Sequence, residues 1–241
     1  MAGSILGNRV LRKEDPKFLT TGGEYVEDLV DEPRLAGAQY VTYVRSSVAH
    51  GLITGIDTSA ALEIPGVTAV LTAADLGLQP TPSDFNPMVA RGLLAIDKVR
   101  FVGEPIAAVV HTDPRVGEDA AEAVIVDYDV LPAVVDIEEA LTSTTLIHDG
   151  AGSNVVFDTT VLGIPENSGA SFFEGCEVTV TGRFVNQRVA PCPLEVRGSA
   201  VAWVDGRLVQ WLSTQAAQGA KATIAKANGL EPDQVLVIAP D

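Results

Sequence analysis

The chain has 241 residues, 46% of them hydrophobic, enough to bury a substantial core as one large domain or two small ones. Its 16 Lys and Arg against 32 Asp and Glu leave a formal net charge of −16, which repels nucleic acid and anionic lipid surfaces at long range and argues against both as partners. The opening MAGSILGNRV has no basic segment ahead of an apolar core, and no uncharged run approaches a membrane span, so a soluble cytoplasmic protein is expected.

Residues 1–21 mix charged and apolar positions and read as an arm. Thr21-Gly22-Gly23 before Glu24-Tyr25-Val26 predicts a turn and then a strand. From Leu35 to His50 the run LAGAQYVTYVRSSVAH alternates apolar and polar residues, the pattern of a half-buried strand. Asp57, Thr58 and Ser59 offer oxygens to cap a short helix over 60–63 that Pro65-Gly66 ends, and 67–71 is the next strand. Prolines at 80, 82 and 87 make 78–92 a surface loop. VRFVGEPIAAVVH over 99–111 is an apolar strand that Gly103-Glu104-Pro105 bends or bulges. Asp113-Pro114 predicts a helix start, with a helix over 116–124 and a strand over 125–128.

Strands alternating with short helices, through both hairpin-like and crossover connections, indicate a mixed α+β class rather than a pure parallel sheet. The first domain, 22–150, is expected to close near 141–150, and the Gly-, Ser-, Thr- and Asn-rich stretch over 151–175 to act as a linker. The second region, 176–241, opens with EVTVTGRF over 177–184, alternating like a strand with one face in solvent. AVAWVDGRLVQWL over 200–212 predicts a hairpin turning at Asp205-Gly206, the pair that best accepts positive φ angles. Ser213 or Thr214 is expected to cap a helix over 215–227, stopped by Asn228-Gly229 ahead of a buried strand over 235–238. A unit this small that finishes on an apolar strand is expected to lack part of its cover.

Few side chains carry a chemical signal on their own. His50, His111 and His148 stand far apart without metal-ligand spacing, so core or exposed histidines and no metal site are expected. Glu104 in an apolar strand could be an acid catalyst, but a carboxylate capping backbone at a bulge, or facing solvent, accounts for it. Asp127, Asp129 and Asp136 lie on or beside strands with outward alternation and read as surface charge rather than a cation loop. Asn186–Arg188 and Glu195–Arg197, beside Pro191 and Pro193, suit an interdomain turn or a face for a partner subunit. Cys176 and Cys192 are too few for a disulfide framework and lack CxxC spacing, so buried free thiols are expected.

Longer runs say more. GNRVLRKEDPKFLTTGGEYVED, then VRFVGEPIAAVV with DPRVGEDAAEAVIVDYDVLPAVVD, then GRFVNQRVAPCPLEVRGSAVAW with WLSTQAAQGAKATIAKANGL and VLVIAP, span nearly the whole chain. Together they resemble the large subunit of the molybdenum hydroxylases, the family of carbon monoxide dehydrogenase, aldehyde oxidase and xanthine dehydrogenase. The resemblance implies an α/β hammerhead domain followed by the incomplete start of a molybdenum-cofactor-binding domain. On the family pattern a glycine-rich cofactor loop, substrate contacts and a catalytic glutamate come later, so the chain is expected to be part of a subunit, as a fragment or one half of a split chain, and inactive alone. The implied reaction oxidises an aldehyde, an aromatic heterocycle or carbon monoxide with oxygen from water. The implied cofactors are a molybdopterin-type molybdenum cofactor in the complete assembly and FAD and [2Fe–2S] on partner subunits, with none bound by this chain alone. The implied partners are the remainder of the molybdenum subunit, an iron–sulfur subunit and an FAD subunit.

No catalytic residue and no metal ligand transfers from the family. One cofactor-binding residue does: Gln215, in Ser213-Thr214-Gln215, matches the glutamine that in the family hydrogen-bonds an oxygen ligand on molybdenum. An uncharged amide donates there without adding charge to an anionic cofactor, and a strand-to-helix turn gathers free N–H groups. From the residues alone, a Gln near a helix start is ordinarily a solvated side chain. The rival reading is a non-catalytic hammerhead scaffold or interaction protein that never receives molybdenum.

Overall fold

A computed structural model describes Gly7, residues 11–84, 86–157 and 170–241, the side chains of Ala170 and Ser171 excepted. In chain order its elements are α1 (Asp15–Thr20), β1 (Tyr40–Arg45), β2 (Gly51–Asp57), α2 (Ser59–Leu62), β3 (Val67–Thr72), β4 (Thr81–Pro82), β5 (Ala90–Arg91), β6 (Lys98–Val99), β7 (Pro105–His111), α3 (Gly117–Glu122), β8 (Ile125–Val130), α4 (Ile137–Thr142), β9 (Ser199–Val204), β10 (Arg207–Leu212), α5 (Ala217–Ala227) and β11 (Val235–Ile238). They divide into two units, one of residues 39–183 and one that joins residues 1–38 to 184–241.

The 39–183 unit holds two three-stranded antiparallel sheets, ordered β1-β7-β3 and β6-β2-β8. Central β7 is buried at nearly every position, as a strand covered on both faces must be, and Val109 and Ala107 pack with Val44, Val70, Ala61 and Ala120. The single bent strand expected over 99–111 is instead two strands in two sheets. Gly103 takes φ +90°, Glu104 accepts the Arg100 backbone N–H at 2.6 Å, and Pro105 has no N–H to give, so the chain leaves one sheet and enters the other. The pairing of β1 with β7 slips between Val44 and Arg45, beside this crossing. The strand expected over 35–50 shortens to β1, and β2 was not foreseen, because the break at residues 46–50 separates two strands of different sheets.

Helix starts in this unit follow local chemistry. Asp113 accepts the Arg115 N–H at 3.0 Å with Pro114 in the first turn, opening a 3-10 turn that runs into α3. Asp57 accepts the Ser59 N–H at 2.9 Å ahead of α2, and Asp136 accepts the Glu138 and Glu139 N–H groups ahead of α4. His111, 1% exposed, donates from Nδ1 to the Asp113 carbonyl at 2.9 Å and bonds the Thr42 hydroxyl through Nε2 at 2.9 Å. His50 donates from Nδ1 to the Pro132 carbonyl at 2.7 Å, and its buried Nε2 bonds nothing among the described residues. Both are core histidines. Lys98, 5% exposed, donates to both carboxylate oxygens of Asp149, at 3.1 and 2.9 Å, a pair with no local sequence signal.

His148 is half-buried beside this pair. Burial first, then the charges of Arg100, Arg91 and Lys98, hold its pKa below the ordinary 6.5. The unfolded chain therefore takes up the His148 proton at a higher pH than the folded chain does, so stability falls as pH drops below about 6.5 and is unaffected above it. The melting temperature is expected to decline between pH 7 and pH 5 with a slope that His148→Asn flattens; an identical slope in the variant would contradict this.

The unit of residues 1–38 and 184–241 is built on the sheet β11-β10-β9. The hairpin turns at Asp205 (φ 49°) and Gly206 (φ 78°), both positive as the tight turn requires. β10 then crosses over through α5 to β11, which pairs with it in parallel. One sheet face buries Leu208 and Val235 against Ala225 of α5. The other buries Val209 and Trp211 against Val26, Leu29 and Leu35. The strand expected over 24–26 is accordingly a 3-10 helix over Val26–Asp31: Asp28 accepts the Tyr25 N–H at 2.8 Å, and the turn inserts Val26 into the core. The strand expected over 177–184 has no regular structure, and Val178, Val180 and Phe184 are 74%, 87% and 92% exposed. Alternation prepares a strand, but among the described residues no sheet edge pairs with this one. Cys176 and Cys192 are free as expected but exposed rather than buried, since every residue from 172 to 194 is exposed. Residues 158–169 of the linker expected over 151–175 lie outside the described residues. Among the described residues no helix is long and apolar enough to cross a membrane.

Candidate functional site

In open α/β sheets ligands bind in a crevice outside the carboxyl ends of parallel strands, and in a strand–helix–strand unit the helix start presents its unpaired N–H groups at that end. β10 and β11 make the one such pair among the described residues. Gln215 lies three residues beyond Leu212, the end of β10, and Asp241 three residues beyond Ile238, the end of β11.

Ser213 and Thr214 shape the exit from β10 rather than capping the helix. Ser213 Oγ accepts the Gly198 N–H at 2.9 Å and donates to the Val196 carbonyl at 3.1 Å, and the Ser213 N–H donates to the Gly198 carbonyl at 3.1 Å. Gly198 is required there, because a Cβ would come within 2.8 Å of Val26 Cβ. Thr214 Oγ1 accepts the Ala216 N–H at 3.1 Å, closing a short turn, so α5 starts at Ala217 instead of Gln215. At its other end α5 stops as expected: Gly229 takes φ 63° and the Leu230 N–H returns to the Ala225 carbonyl at 2.9 Å.

Two features follow for chemistry. The Gln215 side chain is exposed, and its amide bonds nothing among the described residues. The first turn of α5, Ala217-Gln218-Gly219-Ala220, has no side-chain cap and no acidic residue; the Ala220 N–H already donates to the Ala216 carbonyl at 2.9 Å, which leaves the N–H groups ahead of it and the positive end of the helix dipole open to an anion. A neutral donor beside an open helix start fits an anionic group bearing oxygen acceptors, and nothing in this turn would repel one.

The exit from β11 is fixed differently. The Asp241 N–H donates to the Glu24 carbonyl at 3.1 Å, the Asp241 carboxylate accepts the Glu24 N–H at 2.9 Å, and Lys17 pairs with the same oxygen. The Lys17 ammonium, with the Glu24 N–H, holds the Asp241 carboxyl below its usual range. An open cavity of about 480 Å³ adjoins this junction, walled by Phe18, Tyr25, Pro193, Leu194 and Asp241. Neither Lys17 nor Asp241 was singled out from the sequence, and no local signal could have paired residues so far apart.

The remaining sequence candidates lie elsewhere. His50, His111, His148, Glu104, Asp127, Asp129 and Asp136 all belong to the 39–183 unit. Glu104 is 5% exposed and caps backbone, and the three aspartates are exposed. No group of three or more His, Cys, Asp or Glu among the described residues could hold a metal ion. Asn186–Arg188 are exposed and outside regular structure. A groove of about 530 Å³ in the 39–183 unit, bordered by Val41, Tyr43, Arg45, Glu118 and Tyr128, brings together none of these candidates.

Comparison with known proteins gives two family matches. The aldehyde oxidase and xanthine dehydrogenase a/b hammerhead domain matches residues 20–132, and the molybdopterin cofactor-binding domain matches residues 147–241. The carbon monoxide dehydrogenase large chain of Hydrogenophaga pseudoflava is 32% identical across 97% of this chain and 30% of its own length. The nicotine 6-hydroxylase large subunit of Paenarthrobacter nicotinovorans is 33% identical across 99% of this chain and 29% of its own. Among solved structures, quinoline 2-oxidoreductase from Pseudomonas putida 86 superposes with a TM-score of 0.81 at 32% identity, over 98% of this chain and 30% of that one. The chain thus spans about 30% of the length of these relatives.

Proposed function

This chain belongs to the aldehyde oxidase and xanthine dehydrogenase family, and we propose that it forms part of the molybdopterin-binding subunit of an enzyme that oxidises an aldehyde, an aromatic heterocycle or carbon monoxide with oxygen from water. In this reading residues 22–150 are the hammerhead domain and 176–241 the beginning of the cofactor-binding domain. The bound molybdenum cofactor supplies the two-electron oxidation, which no side chain of this chain can perform. Gln215 donates its amide N–H to an oxygen of the cofactor, and the first turn of α5 offers backbone N–H groups to its anionic part. The hydrogen bonds of Ser213 and Thr214 fix the turn, so the backbone that carries Gln215 is set before the cofactor arrives.

The free amide of Gln215 beside an uncapped, carboxylate-free helix start is the observation that carries this reading. The match of residues 147–241 to a molybdopterin-binding family weighs against a scaffold that never meets the cofactor. FAD and [2Fe–2S] groups would belong to partner subunits in a cytoplasmic complex, and the two cysteines of these residues cannot supply the ligand set of a cluster. In the holoenzyme containing this chain, Gln215→Ala is expected to lower kcat by roughly 10²-fold, the loss typical of one preorganised donor. Gln215→Glu should fall at least as far, because an ionised carboxylate cannot donate and adds negative charge. Unchanged turnover in both variants would overturn the assignment.

A further inference from the structure

The crevice beyond β10 and β11 has two sides, and they are secured by different means. On the β10 side, Ser213 and Thr214 tie the exit to nearby backbone. On the β11 side, Ala239-Pro240-Asp241 follow the strand. What holds them comes from the arm. Gly22, at φ +81°, turns the chain after α1, and Glu24 then exchanges backbone hydrogen bonds with the Asp241 residue, donating to its carboxylate and accepting its N–H. Gly23 lies against this junction, where a Cβ would stand 3.6 Å from Asp241 Cβ. Lys17, near the end of α1, closes it with its ammonium on the Asp241 carboxylate.

Further along the arm, Val26, Leu29 and Leu35 pack on the sheet face that holds Trp211. Lys17 and Glu24 instead both reach one carboxylate just past β11. We infer that Lys17 is a positioning residue for the cofactor site: with the Glu24 backbone it pins Asp241 and so fixes the β11 side of the crevice whose β10 side carries Gln215. This inference rests on the proposal that the crevice receives the cofactor. The Lys17 side chain is 49% exposed and that of Asp241 21%, so the ion pair itself is weak and screened. Its effect is to bias the position of the exit rather than to stabilise the unit.

The test compares molybdenum retention in the holoenzyme after dilution into a chelating buffer, for the native protein, Lys17→Met, Lys17→Arg and Gln215→Ala. Lys17→Met is expected to speed metal loss about two- to fivefold at low ionic strength, the range set by one exposed ion pair. Its unfolding temperature should stay unchanged, Lys17→Arg should restore retention, and 1 M salt should remove most of the difference. Retention unaltered by Lys17→Met, in a protein where Gln215→Ala still impairs turnover, would overturn the positioning role and leave the cofactor reading intact. Gln215→Ala without effect on turnover or retention would overturn the cofactor reading, and the inference with it. Equal loss in Lys17→Met and Lys17→Arg would overturn the role of the charge.

Discussion

Trp211→Ala is expected to cost about 3–5 kcal/mol, the loss for truncating a fully buried aromatic side chain. Trp211 is 2% exposed and lies on the face of β10 that receives Val26, Leu29 and Leu35, so it is the surface on which the arm rests. Arg34 lies with its guanidinium 4.7 Å from the ring centre while its fork grips Glu32 at 2.7 Å, which closes the outer side of the cluster. Removing the ring leaves a cavity that short helical turns cannot refill. Urea unfolding should register the loss, and proteolytic cleavage in residues 17–35 should accelerate with it. Trp203 is the internal control: at 62% exposed on edge strand β9, its replacement by Ala should change stability by no more than about 0.5 kcal/mol. Equal effects at the two tryptophans would contradict the packing described.

Gly117→Ala is the second large effect, and its sign opposes the local rule. Gly117 begins α3 with an ordinary helical φ of −60°, so helix propensity alone would have Ala stabilise the unit by about 1 kcal/mol. The added Cβ, however, would overlap Thr42 Oγ1 outright and stand 2.7 and 2.9 Å from Nε2 and Cε1 of His111. Neither neighbour can yield cheaply. The imidazole is 1% exposed and held at both nitrogens, and moving it breaks its bonds to Thr42 and the Asp113 carbonyl. A net destabilisation of about 1–3 kcal/mol is expected, the range for overpacking a tight core. Thr42→Ala combined with Gly117→Ala should recover part of it, because one of the overlapping atoms is gone. A rise in stability for Gly117→Ala would show that β1 and α3 are packed more loosely than described.

What the sequence made legible was governed by neighbours in the chain. Asp205-Gly206 turned where two positive φ angles were needed, Asp113-Pro114 opened a helix, and Asn228-Gly229 closed one, because each outcome depends on two or three adjacent residues. Contacts made across the chain were not legible. Lys17 and Glu24 reach Asp241 across 224 and 217 positions, and Lys98 finds Asp149 across 51. Alternation over 177–184 described a surface able to pair, and an able surface does not supply an edge to pair with. The run over 99–111 concealed the passage between two sheets, since a glycine, a capping carboxylate and a proline can mark either a bend or a departure.

The candidate site was legible in one residue only. An exposed glutamine before a helix is an ordinary feature, and resemblance singled out Gln215. The structure adds what surrounds it: Ser213 and Thr214 turned to the backbone, a helix start without cap or carboxylate, and a second strand exit beside it held from the arm.

A crystal structure of the holoenzyme containing this chain, with its cofactor bound, tests the central claim most directly. The account predicts the amide nitrogen of Gln215 within about 3.2 Å of a cofactor oxygen, hydrogen-bond range, with Asp241 still joined to Glu24. A cofactor lying beyond hydrogen-bond reach of both Gln215 and the first turn of α5 would contradict it.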